Sequence, residues 1–257
     1  MLPALRRARI IELLRQEGAA SLRDMSAALG VSVSTLRRDV DYLGEQGHLE
    51  RTHGGALLNE GHRTGPEMER AIASELESGA KQAIGRRAAG MIRPGQTVIL
   101  DSGTTTAAAA RSARERGLSF TAVTNDYAIA AILSESAAIR VLVIGGAVRA
   151  GTSTLMGADA LRGIGRLRAD LALVGAHALS GEEMSDTSIE LAELKRAIIS
   201  AADRAVLLAD STKIFSRAFC SFGRVGDLDL LITDSRIPAE RKALLERNGL
   251  RLDMAPA

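Results

Sequence analysis

A single cysteine, Cys220, and no tryptophan occur among the 257 residues of the chain. One cysteine excludes an intrachain disulfide, which fits a reducing compartment, and Cys220 is more simply explained as a small, partly buried residue than as a reactive thiol. No apolar run reaches the ~18–20 residues that a membrane-spanning helix needs. The N-terminal segment alternates arginine with apolar residues and lacks the continuous apolar stretch of a signal peptide, so we expect a cytoplasmic protein with no membrane partner.

Lysine is also scarce. Only four lysines stand among the 33 basic residues, and the net charge of +2 does not by itself indicate a nucleic-acid-binding protein. GC-rich coding would explain the preference for arginine. The alternative is that lysine remains where a site needs a compact, mobile ammonium rather than a planar guanidinium. The four lysines are Lys81, Lys195, Lys213 and Lys242.

The first predicted domain covers residues 3–58. Apolar residues at helical spacing predict three helices that each end at a glycine. Ser21 and Ser32 stand where the N-caps of the second and third helices are expected. The segment HLERTHGGALL then predicts a two-stranded wing with a flexible tip at Gly54 and Gly55. This order of elements is typical of a winged helix-turn-helix domain.

The hydroxyl and basic side chains of this domain predict contacts with double-stranded operator DNA. Helix N-termini and hydroxyls bind phosphate, and arginine can read guanine in the major groove. The alternative is a small helical domain for dimerisation or protein binding, which the near balance of arginine and acidic residues favours weakly. The candidate DNA-binding residues are Ser21, Ser32, Ser34, Thr35, Arg37, Arg38, Arg51 and His53.

A polar linker is predicted at 59–69, followed by an α/β domain at 70–257 and a long helical stretch from about Glu67 to Ile92. Six near-continuous apolar runs then alternate with helical patterns. This alternation predicts a mostly parallel sheet with helices on both faces. The runs are TVILD (97–101), SFTAVTN (119–125), IRVLVIGG (139–146), DLALVGA (170–176), AVLLAD (205–210) and LLITD (230–234).

The loops that follow these strands predict a site for a small anion, because open α/β sheets bind ligands beyond the carboxyl ends of their strands. The segment DSGTTT at 101–106 opens a helix whose N–H groups can hold a phosphate. Turn chemistry would explain any one loop, but the set favours a phosphate ester smaller than a nucleotide, with no cofactor or metal. The candidate residues are Lys81, Asp101, Ser102, Gly103, Thr104, Thr105, Thr106, Thr124, Asn125, Gly145, Gly146, Arg149, Lys195 and Lys213.

Catalysis is the competing interpretation of the same loops. A sugar-phosphate isomerase needs a carboxylate base and a lysine or second acid near the carbon that loses its proton. The candidates for such a pair are Asp101, Asp186, Glu190, Lys195 and Lys213. A turnover assay on pentose and hexose phosphates would separate an enzyme from a sensor.

Segments along most of the chain resemble the DeoR family of bacterial transcriptional regulators. VSVSTLRRDVDYLGEQGHLERTHGGA resembles the winged helix-turn-helix of that family. The segments IGRRAAGMIRPGQTVILDSGTTT, VTN, GG-x-x-R at 145–149, LAELKRAI, LLADSTK and ITD resemble its effector domain. The resemblance extends from about Arg6 to Asp234.

The resemblance implies a homo-oligomeric repressor of a carbohydrate or polyol operon, with an effector domain that is similar to ribose-5-phosphate isomerase and senses a phosphorylated sugar. The alternative is that the protein activates transcription of the operon instead of repressing it. Many members carry Glu-Ala four and three residues before the lysine that matches Lys195, whereas this chain has Leu191 and Ala192 there and its acid at Glu190. One residue rotates a side chain by ~100° about a helix, which argues against an enzyme-like acid role for Glu190.

Overall fold

The computed structural model describes residues 1–58 and 70–256, so the predicted linker at 59–69 lies outside the described residues. The chain divides into two compact units, Met1–Leu76 and Glu77–Ala257. None of the helices in the described ranges is long and apolar enough to cross a membrane.

The first unit is a winged helix-turn-helix. Its three strands form an antiparallel sheet in the order β1-β3-β2, so the wing has one strand more than predicted. Its elements are α1 (Pro3–Glu17), β1 (Ala19–Ser21), α2 (Leu22–Leu29), α3 (Val33–Glu45), β2 (Leu49–Arg51), β3 (Gly55–Leu58) and α4 (Arg70–Glu75).

The additional strand explains one of the two wing glycines. A Cβ atom on Gly55 would lie 2.1 Å from the carbonyl oxygen of Ala20, because β3 passes close to β1 at this point. Gly55 is therefore required by a close backbone approach. The sequence AAS of β1 lacks the β-branched residues that indicate a strand, which is why the pattern did not reveal it.

The predicted caps of the helix-turn-helix are present. The Ser21 hydroxyl accepts a hydrogen bond from the Asp24 amide at the start of α2, and the Ser32 hydroxyl accepts one from the Thr35 amide at the start of α3. Each cap satisfies a backbone donor that the first helical turn leaves unpaired. These caps fix where both helices begin.

The predicted continuous helix from about Glu67 is instead two helices. Ile72 of the short α4 and Leu76, which follows this helix, are buried in the hydrophobic core of the first unit. The chain then passes through Glu77, whose φ of 51° lies in the left-handed region, and a separate helix begins at Ser78. By these contacts residues 70–76 belong with the first unit.

The second unit contains a seven-stranded sheet, two small antiparallel sheets and six helices within its described residues. Its helices are α5 (Ser78–Ala89), α6 (Thr104–Glu115), α7 (Tyr127–Ser134), α8 (Ala158–Ile164), α9 (Ile189–Ser200) and α10 (Ala239–Arg247), with single 3-10 turns at Ser211–Lys213 and Val225–Asp227. Its strands are β4 (Thr97–Leu100), β5 (Phe120–Thr124), β6 (Ile139–Val143), β7 (Ala147–Val148), β8 (Leu155–Met156), β9 (Leu171–Gly175), β10 (Ala178–Leu179), β11 (Glu183–Asp186), β12 (Ala205–Leu208), β13 (Cys220–Arg224), β14 (Leu230–Asp234) and β15 (Leu252–Ala255).

The large sheet is parallel throughout and runs in the order β15-β14-β12-β9-β4-β5-β6. All six predicted strands lie in it, which confirms the predicted α/β class. Alternate residues of each strand point to two hydrophobic cores, one covered by α5, α6 and α7 and the other by α8, α9 and α10. Both faces of the central strands β4, β9 and β12 are buried, and these strands are mainly apolar, whereas the edge strand β6 is mostly exposed.

The path of the chain through this sheet sets the position of the site. The chain enters at β4 in the middle, proceeds to one edge through β5 and β6, and returns to β9 on the other side of β4. It then proceeds to the opposite edge through β12, β14 and β15. The strand order therefore reverses between β4 and β9, and such a reversal opens a crevice at the carboxyl ends of the two strands.

Candidate functional site

A buried ion pair lies at the reversal point between β4 and β9. Asp101 directly follows β4 and is 0% exposed, and the Lys195 ammonium reaches it from α9 with 3% exposure. The Nζ atom of Lys195 also lies 2.8 Å from the carbonyl oxygen of Gly175, at the end of β9, and 3.5 Å from Oδ2 of Asp186. Two distant segments of the sequence therefore meet where the fold predicts a ligand.

We assign the charged form to both members of this pair. Burial raises the pKa of Asp101, against the opposing attraction of Lys195. Burial lowers the pKa of Lys195, but the attraction of Asp101 and Asp186 outweighs it, and the net direction is upward. We assign the carboxylate form to Asp101 because the Ser102 amide at 2.7 Å, the Gly175 amide at 3.1 Å and the Lys195 ammonium all donate to it.

The N-terminus of α6 lies next to Asp101. Gly103 precedes the helix with a φ of 136°, and no side chain caps the helix. Asp126 caps α7 and Ser188 caps α9, whereas α8, like α6, begins at a glycine and has no side-chain cap. The backbone N–H groups of the first turn of an uncapped helix, together with its partial positive charge, form a site for an anion.

The three threonines of DSGTTT have different environments. Thr106 is buried, and its hydroxyl donates to the carbonyl oxygen of Gly103 at 2.9 Å, so it holds the turn in shape. Thr104 and Thr105 are half-buried at the first turn of the helix. Their hydroxyls are therefore better placed than that of Thr106 to contact a bound anion.

The end of β5 provides a second group of polar side chains. Asn125 is fully buried, and within the described ranges its Oδ1 atom has no hydrogen-bond partner. Its Nδ2 atom lies 3.5 Å from the Leu155 carbonyl oxygen. A buried acceptor without a donor costs about 1–3 kcal/mol, and such an atom marks a place where a ligand hydroxyl or a water molecule would bind. Thr124 is buried beside it and accepts a hydrogen bond from the Asp126 amide at 3.1 Å.

Asp126 connects this group to the N-terminus of α6. Its Oδ1 accepts hydrogen bonds from the Ala128 and Ile129 amides and, at 2.6 Å, from the Ser153 hydroxyl. Its Oδ2 lies 3.4 Å from the amide nitrogen of Gly103. Asp126 was not among the candidates, although its place at the start of a helical pattern, after VTN, could have indicated an N-cap.

The glycines at 145 and 146 precede the hairpin β7-β8. A Cβ atom on Gly146, whose φ is 147°, would lie 2.5 Å from the carbonyl oxygen of Met156, so glycine is required there by the backbone of the hairpin itself. Gly145 has open space around it. Arg149, in the turn of this hairpin, donates from Nη2 to the Thr187 hydroxyl at 2.9 Å.

The remaining lysine candidates lie on different elements. Lys213 ends the 3-10 turn after β12 and is half-buried, and in the part of the chain that the structure describes its ammonium has no ion pair. Lys81 is 7% exposed on α5. Among these candidates the structure brings Asp101 and Lys195 into direct contact. It shows no such contact for Lys213 with that pair in the described residues.

The candidate DNA-binding residues gather around α3 and the wing. Ser34 and Thr35 lie 3.0 and 2.9 Å from the Ser32 hydroxyl, at the exposed start of α3. Arg37 and Arg38 are exposed on the next turn. A cavity of about 260 Å³ between α3 and the wing is lined in part by Arg37, Arg51 and His53. Ser21 lies elsewhere and caps α2.

Two aspartates on α3, neither of them a candidate, hold this surface in place. Asp41 pairs with Arg51 of the wing at 2.8 Å. Asp39 is 2% exposed and pairs with Arg6 and Arg7 of α1, the latter at 3.0 Å. These ion pairs connect α3 to the wing and to α1.

Comparison with known proteins identifies both units. The family model described as "DeoR-like helix-turn-helix domain" matches residues 6–62, and the one described as "DeoR C terminal sensor domain" matches residues 76–235. The putative aga operon transcriptional repressor of Escherichia coli O157:H7 is 33% identical over 96% of this chain and 92% of its own length. The transcriptional repressor GlcR of Bacillus subtilis is 32% identical, with 95% and 93% coverage.

A third relative and a solved structure complete the comparison. The glycerol-3-phosphate regulon repressor of Escherichia coli K12 is 29% identical over 95% of this chain and 96% of its own length. Among solved structures, ribose 5-phosphate isomerase A of Methanocaldococcus jannaschii matches with a TM-score of 0.39 and 15% identity, covering 54% of this chain and 55% of that one.

Proposed function

Since the chain belongs to the DeoR family of transcriptional regulators, we propose that it represses an operon of carbohydrate or polyol metabolism and is released from its operator by a phosphorylated sugar. The names of its relatives support both halves of this proposal, because they include an operon repressor and a glycerol-3-phosphate regulon repressor. The observation that carries it is the uncapped N-terminus of α6 beside a buried polar cluster.

The ligand contacts follow from the chemistry of each group. The N–H groups of the first turn of α6 bind the phosphate, with the hydroxyls of Thr104 and Thr105 beside them. The amide oxygen of Asn125, which lacks a donor, accepts a hydrogen bond from a sugar hydroxyl. Lys213 adds a charge-assisted contact to the phosphate from the end of β12, which β9 separates from β4. Such a site fits a small molecule with an anionic end and a polyhydroxyl end.

We propose that this pocket senses its ligand without converting it. Asp101 already accepts from three donors, and Lys195 is shared between two carboxylates and a carbonyl oxygen. A general base must reach the proton that it removes. Asp101 and Lys195 instead contact each other, so neither is directed at a substrate. Glu190 is exposed in the first turn of α9.

The DNA-binding half of the proposal rests on α3 and the wing. The exposed side chains of Arg37 and Arg38 enter the major groove, while Arg51 and His53 contact the backbone or the minor groove. We propose a homo-oligomer in the cytoplasm, because regulators with this motif usually read two half-sites as a symmetric pair. Sedimentation of the full chain would test the oligomer.

A thermal-shift screen of phosphorylated sugars and polyols tests whether the chain binds such a ligand. The screen includes glycerol 3-phosphate and ribose 5-phosphate. A ligand at ~100 times its Kd adds about 2.7 kcal/mol of stability. Lys213→Ala should then weaken the affinity for the compound that binds by one to two decades, because a charge-assisted hydrogen bond contributes ~1.5–3 kcal/mol. Lys213→Arg should also impair binding.

The matched control is Lys242→Ala. Lys242 lies on α10 with 42% exposure and pairs with Glu246 at 3.8 Å, so its loss should leave the affinity unchanged. Equal affinities of the two alanine variants in isothermal titration would refute the role of Lys213. A full chain that binds none of the compounds would refute the proposed ligand class.

The DNA half is tested with a duplex that the full chain selects from a random library. Arg37→Ala combined with Arg38→Ala should abolish specific binding and leave ligand affinity intact. Each lost phosphate contact should also flatten the salt dependence by ~0.9 in the log–log slope. The control is Arg9→Ala on α1, where Arg9 is exposed and pairs with Glu12 at 3.5 Å. Normal binding by the double variant would contradict the proposed interface.

A further inference from the structure

Glu77 is the first residue of the second unit, and its backbone conformation is unusual. With φ 51° and ψ 32°, it is one of two non-glycine residues in the described ranges that adopt positive φ. Side chains with a Cβ atom disfavour this region, so surrounding contacts must hold the residue there. The chain leaves the DNA-binding unit at Leu76, so a conformational change that the second unit transmits along the backbone to the first must pass through Glu77.

Arg236 is one residue that holds Glu77. Its Nη2 atom lies 2.5 Å from Oε2 of Glu77, whose side chain is only 14% exposed. The Nε atom of the same guanidinium lies 2.8 Å from Oδ1 of Asp234, at the end of β14. Arg236 thus joins two carboxylates 157 positions apart in the sequence, one at the junction and one at the ligand edge of the sheet.

Asp234 continues this connection into a candidate ligand loop. It is fully buried and accepts hydrogen bonds from the Ser211 amide at 2.7 Å and from the Ser211 hydroxyl at 3.0 Å. Burial opposes the charge of Asp234, but the hydrogen bonds from Arg236 and Ser211 outweigh it and lower the pKa of the carboxyl. Ser211 begins the 3-10 turn that ends at Lys213, the residue that we propose to bind the phosphate.

We propose that Arg236 is a positioning residue that relays the state of the Ser211–Lys213 turn to Glu77 and so to the DNA-binding unit. This relay rests on the proposed function. A ligand that recruits the Ser211 hydroxyl removes one of the donors that Asp234 receives. Arg236 then redistributes its hydrogen bonds between Asp234 and Glu77, and the left-handed conformation of Glu77 gains or loses support.

The shared guanidinium explains why such a relay can be effective. An arginine presents several N–H donors in one rigid plane, so a shift toward one carboxylate alters its geometry toward the other. The side chain of Arg236 is 47% exposed, and it can therefore move without opening the hydrophobic core. A coupling between two sites needs only that each ligand bind the two arrangements unequally.

The test compares Arg236→Gln and Glu77→Gln with a matched control, Arg87→Gln. Arg87 on α5 makes a two-pronged ion pair with Asp253 at 2.8 and 2.9 Å and is 57% exposed, but it lies outside the connection between Ser211 and Glu77. Glu77→Gln and Arg87→Gln each remove one ion pair and Arg236→Gln removes two, and all three substitutions leave the cores unchanged. Circular dichroism establishes that each variant is folded.

The first measurement needs no ligand. Hydrogen exchange is followed at the Ser211 amide, which donates to Asp234, and at the Lys81 amide, which donates to the Glu77 carbonyl oxygen. Arg236→Gln should raise both exchange rates by about two- to fivefold, the size expected for loss of a surface ion pair. Arg87→Gln should change neither. Equal exchange in Arg236→Gln and the full-length parent chain would overturn the relay.

The second measurement is the loss of affinity for the selected DNA duplex when glycerol 3-phosphate, or the compound found in the thermal-shift screen, is added. Such couplings are typically about 5–150-fold. Arg236→Gln and Glu77→Gln should reduce the factor at least threefold, while affinity for the compound alone and for DNA alone changes less than twofold. An unchanged factor in both variants overturns the relay and leaves the proposed function standing. A parent chain that binds no compound overturns the proposed function, and the exchange measurement still decides the relay.

Discussion

The buried pair of Lys195 and Asp101 permits a sharp prediction about stability. Lys195→Met removes the ammonium and leaves Asp101, which is 0% exposed, as a buried carboxylate beside Asp186. Removing one partner of a buried pair typically destabilises a protein by about 3–5 kcal/mol, because the remaining charge has lost its compensation. For a domain of this size each kcal/mol lowers Tm by ~2–4 °C, so we expect a decrease of about 6–20 °C.

The assay is thermal unfolding of the full chain by circular dichroism and calorimetry, following the transition of the second unit. Lys242→Met is the control, because this exposed residue makes only a weak pair with Glu246 on the surface of α10. It should change stability by less than about 0.5 kcal/mol. Combining Lys195→Met with Asp101→Asn should recover more than 1 kcal/mol of the loss, since an amide carries no charge.

Two results would refute this reasoning. One is a Lys195→Met variant within about 1 kcal/mol of the parent chain, which would mean that water compensates the carboxylate. The other is a double variant less stable than the single one. The pH dependence adds a check. Because the pKa of Lys195 is raised in the folded state, its contribution is complete below the ordinary lysine pKa of ~10.4 and is lost as pH rises through the folded value.

Three further predictions concern packing, the ligand loops and acid stability. Gly85→Ala should destabilise the protein by ~1–3 kcal/mol in urea unfolding, because its Cβ atom would lie 2.6 Å from the backbone of α6. The control is Gly79→Ala in the same helix, whose Cβ atom would meet nothing within 4 Å and which should be neutral or stabilising. Asp126→Asn should weaken ligand affinity several-fold in isothermal titration, since it loosens the contact with the N-terminus of α6. The pKa of Asp234 is lowered in the folded state, so its contribution is present above pH ~4 and lost as pH falls further; Asp234→Asn should therefore be less stable at pH 7 and lose less stability between pH ~5 and ~2.

Much of the fold follows from local patterns in the sequence. The six predicted strands were predictable from their apolar runs, which a sheet covered on both faces needs, although the edge strand β6 is mostly exposed. The missed strands are short or polar. The segment EMSD of β11, for example, carries two acidic residues and pairs in a small antiparallel sheet. Likewise, Ile72 and Leu76 continue a helical pattern that extends into α5, and only their packing assigns them to the first unit.

The candidate site was predictable as an edge of the sheet, whereas its internal contacts were not. Loops that follow parallel strands meet at one edge of the sheet, and this rule predicts that Asp101 and the loop at 124–126 lie at the same edge, as they do. The partners of Lys195 could not be deduced, because Asp101 lies 94 positions away and β11, which ends at Asp186, was not predicted. Lysine scarcity singled out Lys195, but nothing in its neighbourhood of the sequence indicated that it would be buried.

The two adjacent glycines of the wing have a practical consequence for labelling. A side chain at Gly54 would meet nothing within 4 Å, whereas Gly55 admits none because of the Ala20 carbonyl oxygen. A fluorophore can therefore be attached at Gly54→Cys without disturbing the strand behind it, once Cys220 has been replaced by serine. Such a probe would report the arrival of DNA at the tip in real time, in a chain whose lack of tryptophan leaves its intrinsic emission weak.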